Sequence, residues 1–245
     1  MKQIPFLLIA LAMLLCSCSD EVVSDGVRNY SAGVPSVTFS FDSIESPNVW
    51  AQYQSLEEMF AACQIPEEKL KSMSTDELVE VCMSHPLYGI YSAYNNELEG
   101  AKVVIDHFNG FEELNKRSDA AEKLLAFYKD VNFNSSSHHR KDFSQTSYVG
   151  FIDLCMASKR ISALYEGQYL GQLEAISNSV LESRAQQTPN DIFTIRRTLL
   201  IASQVKLTEG ALRTEEAQIL KSFVEAGANV NNPQVYSEVS AIISK

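Results

Sequence analysis

The feature that most restricts this chain is a dense run of helix signals between Met73 and Lys129. Ser74-Thr75-Asp76-Glu77 has the form of a capping box. In such a box the serine oxygen accepts from the third helical amide, and the glutamate reaches back to the cap amide. Leu78, Val81 and Cys82 then recur at helical spacing, and Pro86 forces an exit because proline disfavours helix in the residue before it. A second helix is expected from about Glu97 to Phe108, with Leu98, Ala101, Val104, Ile105 and Phe108 as its apolar stripe. Gly110 is placed to end it in a left-handed conformation. Phe111 to Asn115 offers one further turn, and Ser118 or Asp119 caps a third helix through Tyr128, with Leu124, Leu125 and Tyr128 turned inward.

The same period continues to the C-terminus. Val149, Ile152, Met156, Ile161, Leu164 and Tyr165 read as one helix, and Leu170 to Leu181 continue it or form another after Gly167. Ile192, Ile195, Leu199, Ala202 and Val205 give a further amphipathic segment. Thr214-Glu215-Glu216 and Pro233 open the last two. Upstream, Ser55-Leu56-Glu57-Glu58 is a second capping box, leading a short helix through Cys63. Only Val37, Phe39 and Phe41 alternate at strand spacing, and no partner strand follows. The expected fold is therefore all-α, a multi-helix bundle or irregular α-solenoid, with a short N-terminal extended arm or strand. Trp50 is expected to anchor that arm. The polar stretch 132–147 divides an N-terminal arm and helical subdomain (37–131) from a C-terminal helical subdomain (148–245).

The first residues address the compartment. Lys2 precedes an apolar run, Phe6–Leu15, that is too short to span a bilayer. Leu15-Cys16-Ser17-Cys18 then resembles a bacterial lipobox, with Cys18 as the lipidated residue and 1–17 as the signal peptide. An ordinary cleaved leader with incidental cysteines is the competing reading. Ser19-Asp20-Glu21 resembles the surface-export signal of Bacteroidota lipoproteins, so the expectation is an outer-membrane lipoprotein, facing either the cell surface or the periplasm. Residues 18–36, with Gly26, Gly33 and Pro35, read as a flexible tether. Asp42-Ser43-Ile44 matches the O-glycosylation pattern of such bacteria.

The run from Ser74 to Leu125, with Ser46-Pro47-Asn48-Val49-Trp50 and Leu56-Glu57-Glu58-Met59 before it, resembles a segment of uncharacterised helical lipoproteins and secreted proteins of Bacteroidales-type bacteria. It covers about residues 46–130. The resemblance implies an envelope location and a mostly helical domain; it transfers no activity.

Charge and cysteines narrow the partners. The formal charge is −11, and removing Lys2 with the leader makes it −12. That balance argues against nucleic acid and against electrostatic adhesion to anionic lipid. The expected membrane contact is the N-terminal lipid anchor itself, with an envelope protein or glycan as further partner. With Cys18 lipidated, Cys63, Cys82 and Cys155 remain on apolar faces, as buried thiols or with Cys63 and Cys82 paired.

No cofactor or metal is implied. His138-His139 with Asp142 lacks the i, i+4 spacing that brings two imidazoles to one helix face. No nucleophile elbow or phosphate-cradling glycine loop occurs, so the motifs lean away from catalysis and name no catalytic residue. Tyr88, Tyr91 and Tyr94 are the candidate binding surface, since tyrosines three apart combine large area with a polar tip; packing between helices is the alternative. The functional expectation is an interaction or accessory subunit of an outer-membrane assembly. Its rival is a glycan- or peptidoglycan-directed hydrolase or glycan binder, for which Glu97 and Glu99 are the best acids and Glu99 with His107 an acid–base pair.

Overall fold

The computed structural model describes residues 39–41, 47–133, 145–187, 192–230 and 232–245, and every regular element among them is helical. Cys18 with the leader and tether, Asp42-Ser43-Ile44, and the His138, His139 and Asp142 group lie outside the described residues. The elements are α1 (Pro47–Trp50), α2 (Leu56–Cys63), α3 (Glu67–Ser72), α4 (Thr75–Met83), a 3-10 helix (Tyr88–Ala93), α5 (Glu97–His107), α6 (Asn109–Leu114) and α7 (Ala120–Phe133). They continue with α8 (Gln145–Ala157), α9 (Lys159–Ser162), α10 (Gln168–Gln187), α11 (Ile192–Glu209), α12 (Thr214–Glu225) and α13 (Pro233–Ile243).

Local chemistry sets most of these boundaries. The capping box of α4 is complete: the Ser74 side chain accepts from the Glu77 amide, and a Glu77 carboxylate oxygen accepts from the Ser74 amide at 2.9 Å. Asn96 caps α5 by accepting from the Glu99 amide at 3.1 Å. Gly110 does not end α5. The extended backbone of Phe108 does so, and Gly110 lies inside α6 against the Phe108 ring. The helix read from Tyr148 to Tyr165 is also interrupted. Ser158 is extended, its hydroxyl donating to the Cys155 carbonyl at 2.7 Å while accepting from the Ile161 amide at 3.4 Å. A serine that satisfies backbone groups on both sides offers the chain an alternative to continuous helix, and α9 starts after it.

One hydrophobic core runs from Phe41 to Ile243, with residues of both helical stretches contributing to it. Its centre is α8. Residues Gly150 to Ala157 are all buried, because α4, the 3-10 helix, α5, α9 and α11 pack around it. α11 lies against α8 and meets α10, α12 and α13 on its other sides. Helices grouped around a central pair make an irregular bundle. The arm carries no regular element where it is described: Phe41 is buried, with ring centroids 5.6 Å from His85 and 6.0 Å from Phe108, and Phe39 crosses it edge-on at 5.2 Å. Trp50, given the anchoring role from sequence, is partly buried against the core and packs edge-on against Tyr53 at 5.6 Å. Among the described residues no helix is long and apolar enough to cross a membrane.

Candidate functional site

The three tyrosines do not share an exposed face. Tyr88 is 0 % exposed and Tyr91 2 %, leaving Tyr94 at 38 % as the one ring at the surface. A 3-10 helix places residues three apart above one another, so Tyr88 and Tyr91 point the same way, and that way is inward. Tyr88 packs against Tyr148 at 5.8 Å and Phe151 at 6.0 Å. The approach is close because Gly100 on α5 carries no side chain: a methyl there would lie 2.6 Å from the Tyr91 Cα. The candidate surface is therefore mostly a packed junction between the 3-10 helix, α5 and α8.

Tyr91 leads to a polar cluster. Its hydroxyl donates to the Ser147 carbonyl at 3.1 Å, and its ring lies 5.2 Å from the Arg197 guanidinium carbon. Arg197 on α11 grips Glu97 at the start of α5 side-on, with Nε to Oε2 and Nη2 to Oε1 both at 2.9 Å. Arg196 adds a third contact, Nη2 to Oε2 at 3.0 Å, and its guanidinium covers the Phe193 ring at 4.5 Å. Gly150 on α8 closes the cluster. A methyl there would sit 2.6 Å from both Arg197 Nη1 and Tyr91 Oη. Two buried guanidinium nitrogens, Arg197 Nη1 and Arg196 Nε, have no hydrogen-bond partner.

The electrostatics follow from this geometry. Burial pushes the Glu97 carboxyl upward, but the hydrogen bonds and charges of Arg197 and then Arg196 outweigh burial and hold it below the ordinary carboxylate value. Burial alone would weaken the Arg197 charge; its bonds to Glu97 more than restore it. Tyr91 is pushed up chiefly by burial. A general acid for glycoside cleavage needs the opposite, a carboxyl raised above its usual range. Glu97 is thus an ion-pair partner in place of the proton donor sequence suggested. Glu99 is exposed and lies 3.6 Å from Lys102.

A second cluster lies beneath the first. Asp153 on α8 is wholly buried and receives Arg184 Nη1 at 2.6 Å, Arg184 Nη2 at 3.2 Å and the Tyr128 hydroxyl at 3.0 Å. Arg184 on α10 also donates to Thr198 Oγ1 at 2.6 Å, Asn132 Oδ1 at 2.7 Å and the Thr194 carbonyl at 3.2 Å. Every oxygen of Asp153 is engaged, which is the condition for burying a carboxylate.

The other sequence candidates are separate from both clusters. His107 is held by the Val103 carbonyl at 2.8 Å and stacks on Phe60 at 5.1 Å, and Asp106 pairs with Arg160 at 3.5 Å, so Glu99 and His107 are engaged apart. His85 is buried, accepting from the Leu87 amide at 3.1 Å and contacting Phe108 at 4.7 Å. Cys63, Cys82 and Cys155 are buried and outside any disulfide, and burial raises the thiols of Cys82 and Cys155 well above the usual value. No group of three metal-ligating side chains occurs among the described residues. Arg184, Arg196 and Arg197 were not singled out from sequence. The one local signal was Asp153, an acid inside the apolar run Phe151 to Ala157. No protein-family model matches the chain, and no curated protein or solved structure does either.

Proposed function

We propose that the chain is a lipid-anchored cell-envelope protein whose helical body serves as an interaction or accessory subunit of an outer-membrane assembly. The observation that carries this reading is the register of Phe6–Leu15, Ser17 and Cys18: an apolar run, a small residue and a cysteine in the order lipid transfer requires, followed by Ser19-Asp20-Glu21. Several acyl chains on one cysteine hold a protein at a membrane by roughly 0.8 kcal/mol per buried methylene, without any spanning helix. A net charge of −11 makes lipid, not charge, the natural means of attachment.

The fold supports a tethered body. The chain joins the core at Phe41, held against His85 and Phe108. Twenty residues lie between Cys18 and Phe39, so the body cannot stand further than about 75 Å from the anchored cysteine. The polar clusters around Glu97 and Asp153 tie helices together, which suits a rigid scaffold presented to a partner.

The test is Cys18→Ser in intact cells, with crosslinking and fractionation. Wild type is expected to incorporate a labelled fatty acid, sediment with outer membrane and crosslink reproducibly to a membrane protein. The variant should lose the label and the membrane fraction. Equal sedimentation of the variant, without label in either form, would remove the anchor and the reading with it.

A further inference from the structure

We infer that the Arg196–Arg197 pair on α11 is a binding site for a small organic carboxylate with an apolar body. The inference stands apart from the membrane reading. Two guanidinium groups converge on the single carboxylate of Glu97, with side-chain exposures of 12 % and 6 %. The cluster therefore holds one positive charge in excess. The nearest other acid on α8, Asp153, is already bound by Arg184 and Tyr128. Glu97 accepts from three N–H groups, yet Arg197 Nη1 and Arg196 Nε are left without acceptors in a region closed to water. A buried charged donor without an acceptor is costly, and proteins resolve such groups by pairing them.

The shape of the surroundings selects the ligand. One excess charge matches a monoanion, and a carboxylate presents two oxygens to the planar donors of arginine. Gly150 packs against Nη1 and the Tyr91 hydroxyl too closely for even a methyl, so the ligand approaches from the Arg196 side. On the outer side Phe193, 51 % exposed, stacks on Arg196 and offers an apolar face beside the charge. A carboxylate attached to a ring or hydrocarbon satisfies both features, whereas inorganic anions satisfy only the first. Because the whole chain is acidic, the attraction must be local, so binding should tolerate moderate salt.

The probe is benzoate, with acetate and phosphate as comparisons, added at matched ionic strength to the full chain in non-ionic detergent. Calorimetry and the thermal midpoint are read together. Benzoate should bind saturably, raise the midpoint, and bind more tightly than acetate. Arg196→Gln should weaken benzoate by about tenfold or more, the worth of one charge-assisted hydrogen bond. Glu97→Gln removes the competing carboxylate and should tighten benzoate even as it lowers the midpoint of the unliganded protein, which a purely structural role for the arginines would not produce. The inference is overturned by the absence of saturable benzoate binding, by an equal response in Arg196→Gln, by weaker binding in Glu97→Gln, or by saturation with phosphate but not with benzoate.

Discussion

Replacing Arg184 by methionine isolates what the lower cluster contributes. Methionine keeps the length and apolar stem of the side chain and removes only the donors. Asp153 would then retain the Tyr128 hydroxyl at 3.0 Å and lose both guanidinium contacts, at 2.6 and 3.2 Å, while staying inside the core. Removing one member of a buried pair costs about 3–5 kcal/mol, because the remaining charge has no solvent to return to. In a chain of this size each kcal/mol moves the thermal midpoint by roughly 2–4 °C, so Arg184→Met should melt about 6–20 °C below wild type. Asp153→Asn in the same background removes the stranded charge and should recover at least about 2 kcal/mol of that loss. The assay is thermal and urea unfolding of the two single variants and the double. An exposed pair supplies the contrast: Lys71→Ala should leave the midpoint unchanged, since Lys71 and Glu67 are 62 % and 75 % exposed. Additive losses for Arg184 and Asp153, or a midpoint for Arg184→Met close to wild type, would refute the reasoning.

Two further outcomes follow from single positions. Gly150→Ala places a methyl 2.6 Å from Arg197 Nη1 and Tyr91 Oη, and Arg197 cannot swing aside without releasing Glu97; the expected loss is about 1–3 kcal/mol by urea unfolding, and Tyr91→Phe in addition should recover part of it. Glu216 receives hydrogen bonds from Arg213 and from the terminal Lys245, which hold its carboxyl at about 2 against an ordinary 4.5. Its folded-state pKa lies below the unfolded one, so its stabilisation is full above about pH 4.5 and lost as pH falls through about 2. Side-chain NMR should place its titration near that lower value, and Glu216→Gln should flatten the acid limb of the stability profile.

The helices were legible where their signals are local. Ser74 with Glu77, Ser55 and Pro233 act within four residues of themselves, and each marks an observed start. The stripe of α5 faces inward as the period required, with Ala101, Val104 and Ile105 buried. What failed depends on neighbours. Gly110 looked like a terminator because glycine so often is one, but its place is set by the Phe108 ring. Ser158 breaks a helix in which the apolar spacing runs on undisturbed. The tyrosines left a binding surface and a packed junction both open, because a 3-10 helix and an amphipathic turn carry the same three-residue spacing, and only tertiary packing tells which side faces water. The candidate site was less legible still. Glu97 and Arg197 stand 100 positions apart, and neither has a partner in its own helix that would have marked it.

The two clusters share one seam, and that explains why neither left a pattern. Gly150 and Asp153 are three apart on α8, and Thr194, Arg197 and Thr198 fall at the same helical spacing on α11. One face of each central helix therefore carries polar or minimal groups where a bundle would ordinarily place leucine. Because α8 is covered on all sides, that face cannot be recognised as the solvent side of an amphipathic helix; it is polar inside a buried element. Arg197 fits only against Gly150, and Thr198 meets Arg184 only when Asp153 is level with it. A slip of α11 along α8 would pull Arg197 away from Glu97 and Gly150 and take Thr194 and Thr198 from Arg184, leaving an unpaired buried charge at the first cluster and fewer acceptors at the second. Apolar packing along the same helices discriminates far less, since hydrophobic surfaces of similar size tolerate displacement. The polar seam is thus what fixes the register of the central pair. The same fixed register holds Arg196 and Arg197 beside Glu97 with one buried nitrogen on each left without an acceptor.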